Sequence, residues 1–105
     1  MQRVVKHPGD PLMHPYLEPH RLALRQLAQR HGLRSIRVFG SMARGDANAQ
    51  SDVDLLVDAP GVSGFALGAM LMDAQDLLGR KVDIVTTAAL HPAMRERVLQ
   101  ESEPV

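Results

Sequence analysis

Between residues 17 and 31, Leu17, Leu24, Leu27 and Ala28 fall on one side of a helical wheel. This predicts an amphipathic helix with Pro19 in its first turn and Gly32 as its stop. The period then changes. Ser35 to Phe39 alternates and is rich in β-branched residues, predicting a strand that ends at Gly40-Ser41, where the serine is placed to cap a short helix over Met42-Ala43-Arg44. Gly45 to Ser51 has loop chemistry, Asp52 to Val57 reads as a strand, and Asp58 to Gly64 as a turn containing Pro60 and Gly61. From Phe65 to Leu78, the spacing of Leu67, Leu71, Ala74 and Leu78 predicts a second long helix, which Gly79 closes. Lys81 to Thr86 is the third predicted strand, and a final helix is expected over about 89–101. Residues 1–14, interrupted by prolines, read as an extended or mobile leader, leaving 15–105 as a single domain.

Helical and strand signals thus alternate, which predicts an α/β domain: a mixed sheet of three or more strands with helices mainly on one face. The helix over 65–78 has more apolar residues than one stripe needs. Phe65, Met70, Met72 and Leu77 lie off the face defined by Leu67, Leu71, Ala74 and Leu78, so this helix is either buried on two sides or offers a surface for homo- or hetero-oligomeric contact.

Composition narrows the function classes. The chain has 105 residues, no cysteine and no tryptophan, so there is no disulfide framework, thiolate metal site or cysteine nucleophile. Apolar runs fall well short of a bilayer span and the N-terminal stretch lacks a signal-peptide core, which makes a cytoplasmic protein without membrane attachment the expectation. Twelve Lys+Arg balance twelve Asp+Glu, and this neutral total argues against bulk nucleic-acid binding, which needs a net basic surface to release counterions. The balance is uneven along the chain, however. Residues 1–45 carry +6, whereas 46–79 carry six aspartates and no base, a pattern that fits either solvated charges on separate faces or a site where a cation and a polyphosphate meet.

The candidate chemistry lies in that acidic stretch. Asp52 and Asp54 are two apart on a predicted strand, so both carboxylates point to one face while Val53, Leu55 and Val57 point to the core. Like charges this close repel unless a cation neutralises them, and oxygen-only ligands suit Mg²⁺ or Mn²⁺. Asp83 is set in the apolar run Val82-Asp83-Ile84-Val85, where a buried carboxylate needs a cation or donor, so it is the natural third ligand. Gly40-Ser41 stands at a strand-to-helix junction, a position that favours phosphate binding because glycine admits close approach of the backbone.

Gly40-Ser41, ten intervening residues beginning with Met42-Ala43-Arg44-Gly45, then Asp52-Val53-Asp54, with Asp83 on a later strand, resemble the minimal nucleotidyltransferases of the polymerase β superfamily. The likeness is greatest to the MntA-type antitoxins encoded beside HEPN-domain toxins and covers about residues 20–100. Four fixed positions at average residue frequencies of about 5–7% match by chance roughly once in a thousand chains of this length, so the motif is specific. The resemblance implies a polymerase-β-like core in which Gly40 and Ser41 hold the β and γ phosphates of ATP. It also implies that Asp52, Asp54 and Asp83 bind two Mg²⁺ ions, with Asp83 taking the proton of the attacking hydroxyl. The implied activity is AMP transfer to a protein hydroxyl, a tyrosine of a HEPN toxin, which silences that toxin.

Arg44 is placed either to reach the triphosphate or to pair with Asp46 or Asp58. Two other function classes fit the same residues: an antitoxin that neutralises its partner by contact alone, and nucleotidyl transfer to a small molecule or RNA end. His7, His14, His20, His31 and His91 show no metal-ligand spacing and read as surface or helix-end residues.

Overall fold

The computed structural model describes residues 16–45, 47–48 and 50–105. The expected leader and Asp46 lie outside the described residues. A short 3₁₀ turn, Glu18–His20, takes up the Pro19 position and leads into α1, Arg21–Arg30, whose Leu24, Leu27 and Ala28 are buried. Strand β1, Ser35–Phe39, has the predicted bounds and feeds α2, Ser41–Arg44. Strand β2 is Val53–Asp58, helix α3 is Gly64–Leu78, and strand β3 is Val82–Thr86. A second 3₁₀ turn, Thr87–Ala89, delays the last helix, so α4 is Pro92–Glu101 and starts later than the periodicity indicated. The cause is local: Thr86 caps that turn from its hydroxyl, and Pro92 then begins α4 behind the His91 cap.

The sheet has the order β3-β2-β1-β4, with β2 antiparallel to β1 and parallel to β3. Strand β4, Glu103–Pro104, was not legible in the sequence, since two residues carry no periodicity. Side chains on one face of the sheet, Ile36, Val38, Val53, Leu55, Val57 and Val82, pack with Leu24, Leu27 and Ala28 of α1 and Met70 and Ala74 of α3. Burying each Val, Leu, Ile or Met side chain of this set contributes roughly 1.5–3 kcal/mol before chain entropy is set against it.

One expectation about α3 is corrected here. Met70 is fully buried and, with Ala74, marks the centre of the core face; Leu67, Leu71, Leu77 and Leu78 pack only partly against it. The surplus of apolar residues is therefore smaller than the sequence implied, and its outward part is Phe65, 90% exposed, and Met72, 59% exposed. His31 caps α1 and its Nε2 lies 3.0 Å from Asp73 Oδ2 of α3, joining the two helices at their solvent side. Among the described residues no helix is long and apolar enough to cross a membrane.

Candidate active site

The sheet register assembles the site. Phe39 is opposite Asp54 across β1 and β2, and Asp54 is opposite Asp83 across β2 and β3. Because register partners share a face, the carboxylates of Asp54 and Asp83 stand side by side on the face away from α1 and α3. Asp52 comes just before β2, so no ladder bond of its own fixes it; its Oδ2 lies 3.9 Å from Nζ of Lys81, just ahead of β3.

Gly40 follows directly on Phe39 and brings the β1–α2 junction over Asp54. Its backbone, at φ 72° and ψ −149°, is one that side chains other than glycine do not accept, and a Cβ built there would lie 2.5 Å from Asp54 Oδ2. Glycine is thus required twice over, by the dihedral and by the carboxylate. The structure also corrects the role of Ser41. Gly40 is the residue before the first turn and no side chain caps that turn, so Ser41 is the first helical residue, its backbone carbonyl accepting from Gly45 N–H. The first N–H groups of a helix have no partner inside it and face outward, here beside the acids.

Asp83 departs from expectation as well. It is exposed, not buried, because β3 is the outermost strand and its Asp83 face is open. Asp54 is the more enclosed acid. Burial first, then the charges of Asp83 and Asp52, push its carboxyl above the ordinary carboxylate range, while the Arg44 guanidinium pulls the other way. The three predicted acids and Arg44 therefore act on one another electrically. Of the two pairing partners that the sequence left open for Arg44, Asp58 sits instead 3.6 Å from Arg34, and Asp46 is outside the described residues. Ser51 is a loop cap: its hydroxyl accepts from Asn48 N–H at 2.9 Å.

The donor set is of the kind that suits a divalent cation, since Asp54 and Asp83 share one sheet face with Asp52 just ahead of it, all three offer oxygen ligands only, and two of them make the third harder to ionise. Among the described residues no three such side chains are gathered as closely as an ion would draw them. Asp52 is turned to Lys81. Sequence reasoning missed Arg80 and Lys81. The signal was a pair of adjacent basic residues directly ahead of an acid-bearing strand.

A nucleotidyltransferase domain model matches residues 20–105, which include every site residue named above. The chain belongs to the nucleotidyltransferase family. As a member of it, the chain is an enzyme of the nucleotidyl-transfer class. It is 38% identical over 78 residues to the protein adenylyltransferase MntA of Thermococcus cleftensis, a match covering 73% of this chain and 79% of the relative. A solved structure assigned as a minimal nucleotidyltransferase is 42% identical, with a TM-score of 0.78 over 85% of this chain and 92% of the other. A toxin–antitoxin crystal structure with AMP-PNP shares the fold at 21% identity and a TM-score of 0.70, covering 80% of this chain and 70% of its own.

Proposed function

We propose that this nucleotidyltransferase transfers AMP from ATP to a hydroxyl group of a partner protein, a tyrosine of a HEPN-family toxin, and so acts as the antitoxin of a pair. The observation that carries the reading is the juxtaposition of Asp54 and Asp83 in strand register beneath the glycine junction at Gly40. The MntA relative is named a protein adenylyltransferase, and one fold neighbour is a toxin–antitoxin complex with AMP-PNP, an ATP analogue.

In this reading Asp52, Asp54 and Asp83 hold two Mg²⁺ ions. When bound, these supply a lowered pKa for the nucleophile and neutralisation of the leaving pyrophosphate. The remaining work belongs to the chain. Backbone N–H groups at Gly40 and Ser41, together with the Ser41 hydroxyl, hold the β and γ phosphates, and Arg44, already within electrostatic reach of Asp54, adds positive charge beside the triphosphate. Asp83, open to solvent on its strand, accepts the proton of the incoming hydroxyl. The acceptor comes from outside, and the work is cytoplasmic, where ATP and Mg²⁺ are supplied.

The test is the intact mass of the toxin encoded beside this chain after incubation with Mg²⁺ and each nucleoside triphosphate in turn. Addition of AMP from ATP, reduced more than about tenfold by Asp52→Asn or Asp54→Ala, is expected; a smaller loss removes the acids from the chemistry. A second reading, neutralisation by contact, is favoured by the outward-facing Phe65 and Met72 of α3. A chain with Asp52, Asp54 and Asp83 all replaced by alanine that still neutralised the toxin at equal concentration would establish it.

A further inference from the structure

We propose that Arg80 is a positioning residue for the acidic cluster: it holds the turn that presents Asp52 and thereby sets the affinity of the site for a divalent cation without touching that cation. The proposal rests on the nucleotidyltransferase reading of the site and adds a residue to it.

Asp52 is the least restrained of the three acids. It precedes the first residue of β2, its side chain is partly exposed, and the charge it shares with Asp54 drives the two apart. What holds its backbone is the segment just before it. There Asn48 N–H donates to Ser51 Oγ, Ser51 N–H donates to Asn48 O at 3.1 Å, and Gln50 N–H donates to Asn48 Oδ1 at 2.8 Å. These bonds close the turn on itself.

The attachment is Arg80. Its Nη1 donates to the carbonyls of Asn48 and Ser51, 3.1 Å each, so one nitrogen binds both ends of the turn. The guanidinium carbon lies 4.4 Å from the centroid of the Tyr16 ring, which sits against it just ahead of α1. The next residue, Lys81, puts its ammonium by Asp52, and its carbonyl accepts from Val53 N–H at 2.9 Å, bringing β2 and β3 together at this end. Two residues further on is Asp83. A single short segment, 80–83, therefore restrains Asp52 from behind through Arg80, faces it through Lys81, and carries its co-ligand.

Charged donors on exposed carbonyls exchange largely with water, so their net contribution to folding is small. The geometric effect does not cancel, because a ligand whose carrier turn is loose must be ordered each time a cation binds. Arginine suits the place better than lysine: a planar group can bond to carbonyls with its edge and lie against an aromatic ring with its face.

The experiment is a Mn²⁺ titration of the whole chain followed by electron paramagnetic resonance of the free ion, for the native chain, Asp52→Asn, Arg80→Ala and Arg80→Lys. Arg80→Ala is expected to weaken Mn²⁺ binding by about tenfold or more, as loss of a residue supporting a ligand commonly does. Arg80→Lys is expected to fall between it and the native chain, and the far-UV circular dichroism of both variants to stay unchanged. In AMP transfer, excess Mg²⁺ should restore the rate of the Arg80 variants and not that of Asp52→Asn, a rescue that a general loss of structure does not give. If Arg80→Ala fails to fold, Arg80→Lys alone decides, and native affinity in it overturns the proposal. Mn²⁺ binding lost in Asp52→Asn but kept within twofold in Arg80→Ala overturns the role of Arg80 and leaves the function standing. No Mn²⁺ binding by the native chain overturns both.

Discussion

Replacing Gly40 with alanine adds one methyl group at a place where the backbone and Asp54 both refuse it. At φ 72° and ψ −149° a non-glycine residue costs about 1–3 kcal/mol in backbone strain. The added carbon would stand 2.5 Å from Asp54 Oδ2, closer than real carbon and oxygen atoms come, so the carboxylate or the junction must shift. Forcing extra volume into a filled site typically costs a further 1–3 kcal/mol or so, which gives a total of roughly 2–6 kcal/mol. Gly45 is the control. It also has positive φ, 83°, in the left-handed region, but nothing lies within 4 Å of a Cβ there, so Gly45→Ala carries only the backbone cost of about 1–2 kcal/mol. Urea unfolding of the two variants gives the stability difference, and Mn²⁺ titration reports whether Asp54 has moved. Gly40→Ala should be the less stable by at least about 1 kcal/mol and should bind Mn²⁺ more weakly, whereas Gly45→Ala should bind it as the native chain does. Equal stabilities, with Mn²⁺ binding intact in both, would refute the contact between Gly40 and Asp54 as the reason for glycine.

Three further outcomes are expected. Asp54→Asn should raise the thermal midpoint of the metal-free chain at neutral pH by a few degrees while abolishing AMP transfer, since like charges set opposite one another on neighbouring strands cost roughly 0.2–1 kcal/mol. The sign follows from the raised Asp54 pKa: the folded chain holds this proton more tightly than the unfolded chain, so stability is lost as pH rises from the ordinary carboxylate range through the raised value. Melting curves of native and variant chains should thus converge at acid pH, and a variant less stable at neutral pH would contradict the account. Ser41→Ala should leave stability within about 0.5 kcal/mol, because no side chain caps α2, yet should weaken nucleotide binding measured by calorimetry; an unchanged affinity removes the Ser41 hydroxyl from the phosphate site. Phe65→Ser, at a position 90% exposed, should likewise leave the urea midpoint in place and weaken the complex with the toxin or between copies, as read by sedimentation. A large loss of stability would show that Phe65 packs within its own chain.

The elements whose periods were long enough to read were legible in the sequence. Strand β1 matched residue for residue, and Asp54 and Asp83 proved to be register partners, a relation that spacing cannot give because it depends on how β2 and β3 align. Three features escaped for physical reasons. The pattern puts Met70 on the wrong face because α3 is apolar on much of its circumference, so several rotations of the helix satisfy it. Asp83 was read as buried because an apolar run looks the same in a central strand and in an outer one; only the strand order distinguishes them. The Arg80-Lys81 pair is visible ahead of β3, but what Arg80 holds is not, because its partners are backbone carbonyls, and a carbonyl leaves no trace in a sequence.

The position of Asp83 has a consequence for solubility. Among the described residues strand β3 is the last in its sheet, and on its outer side it has hydrogen-bonding groups that another chain's strand could join. Val82, Ile84 and Val85 would make such a joint attractive, and a charge in the middle of the run makes it costly, because an incoming copy would set a second carboxylate against the first. The acid proposed to take a proton from the acceptor is thus also a gatekeeper against aggregation. An inactive Asp83→Ala chain would then be expected to precipitate at concentrations where the native chain stays in solution, and Asp83→Asn, polar but uncharged, to fall between them.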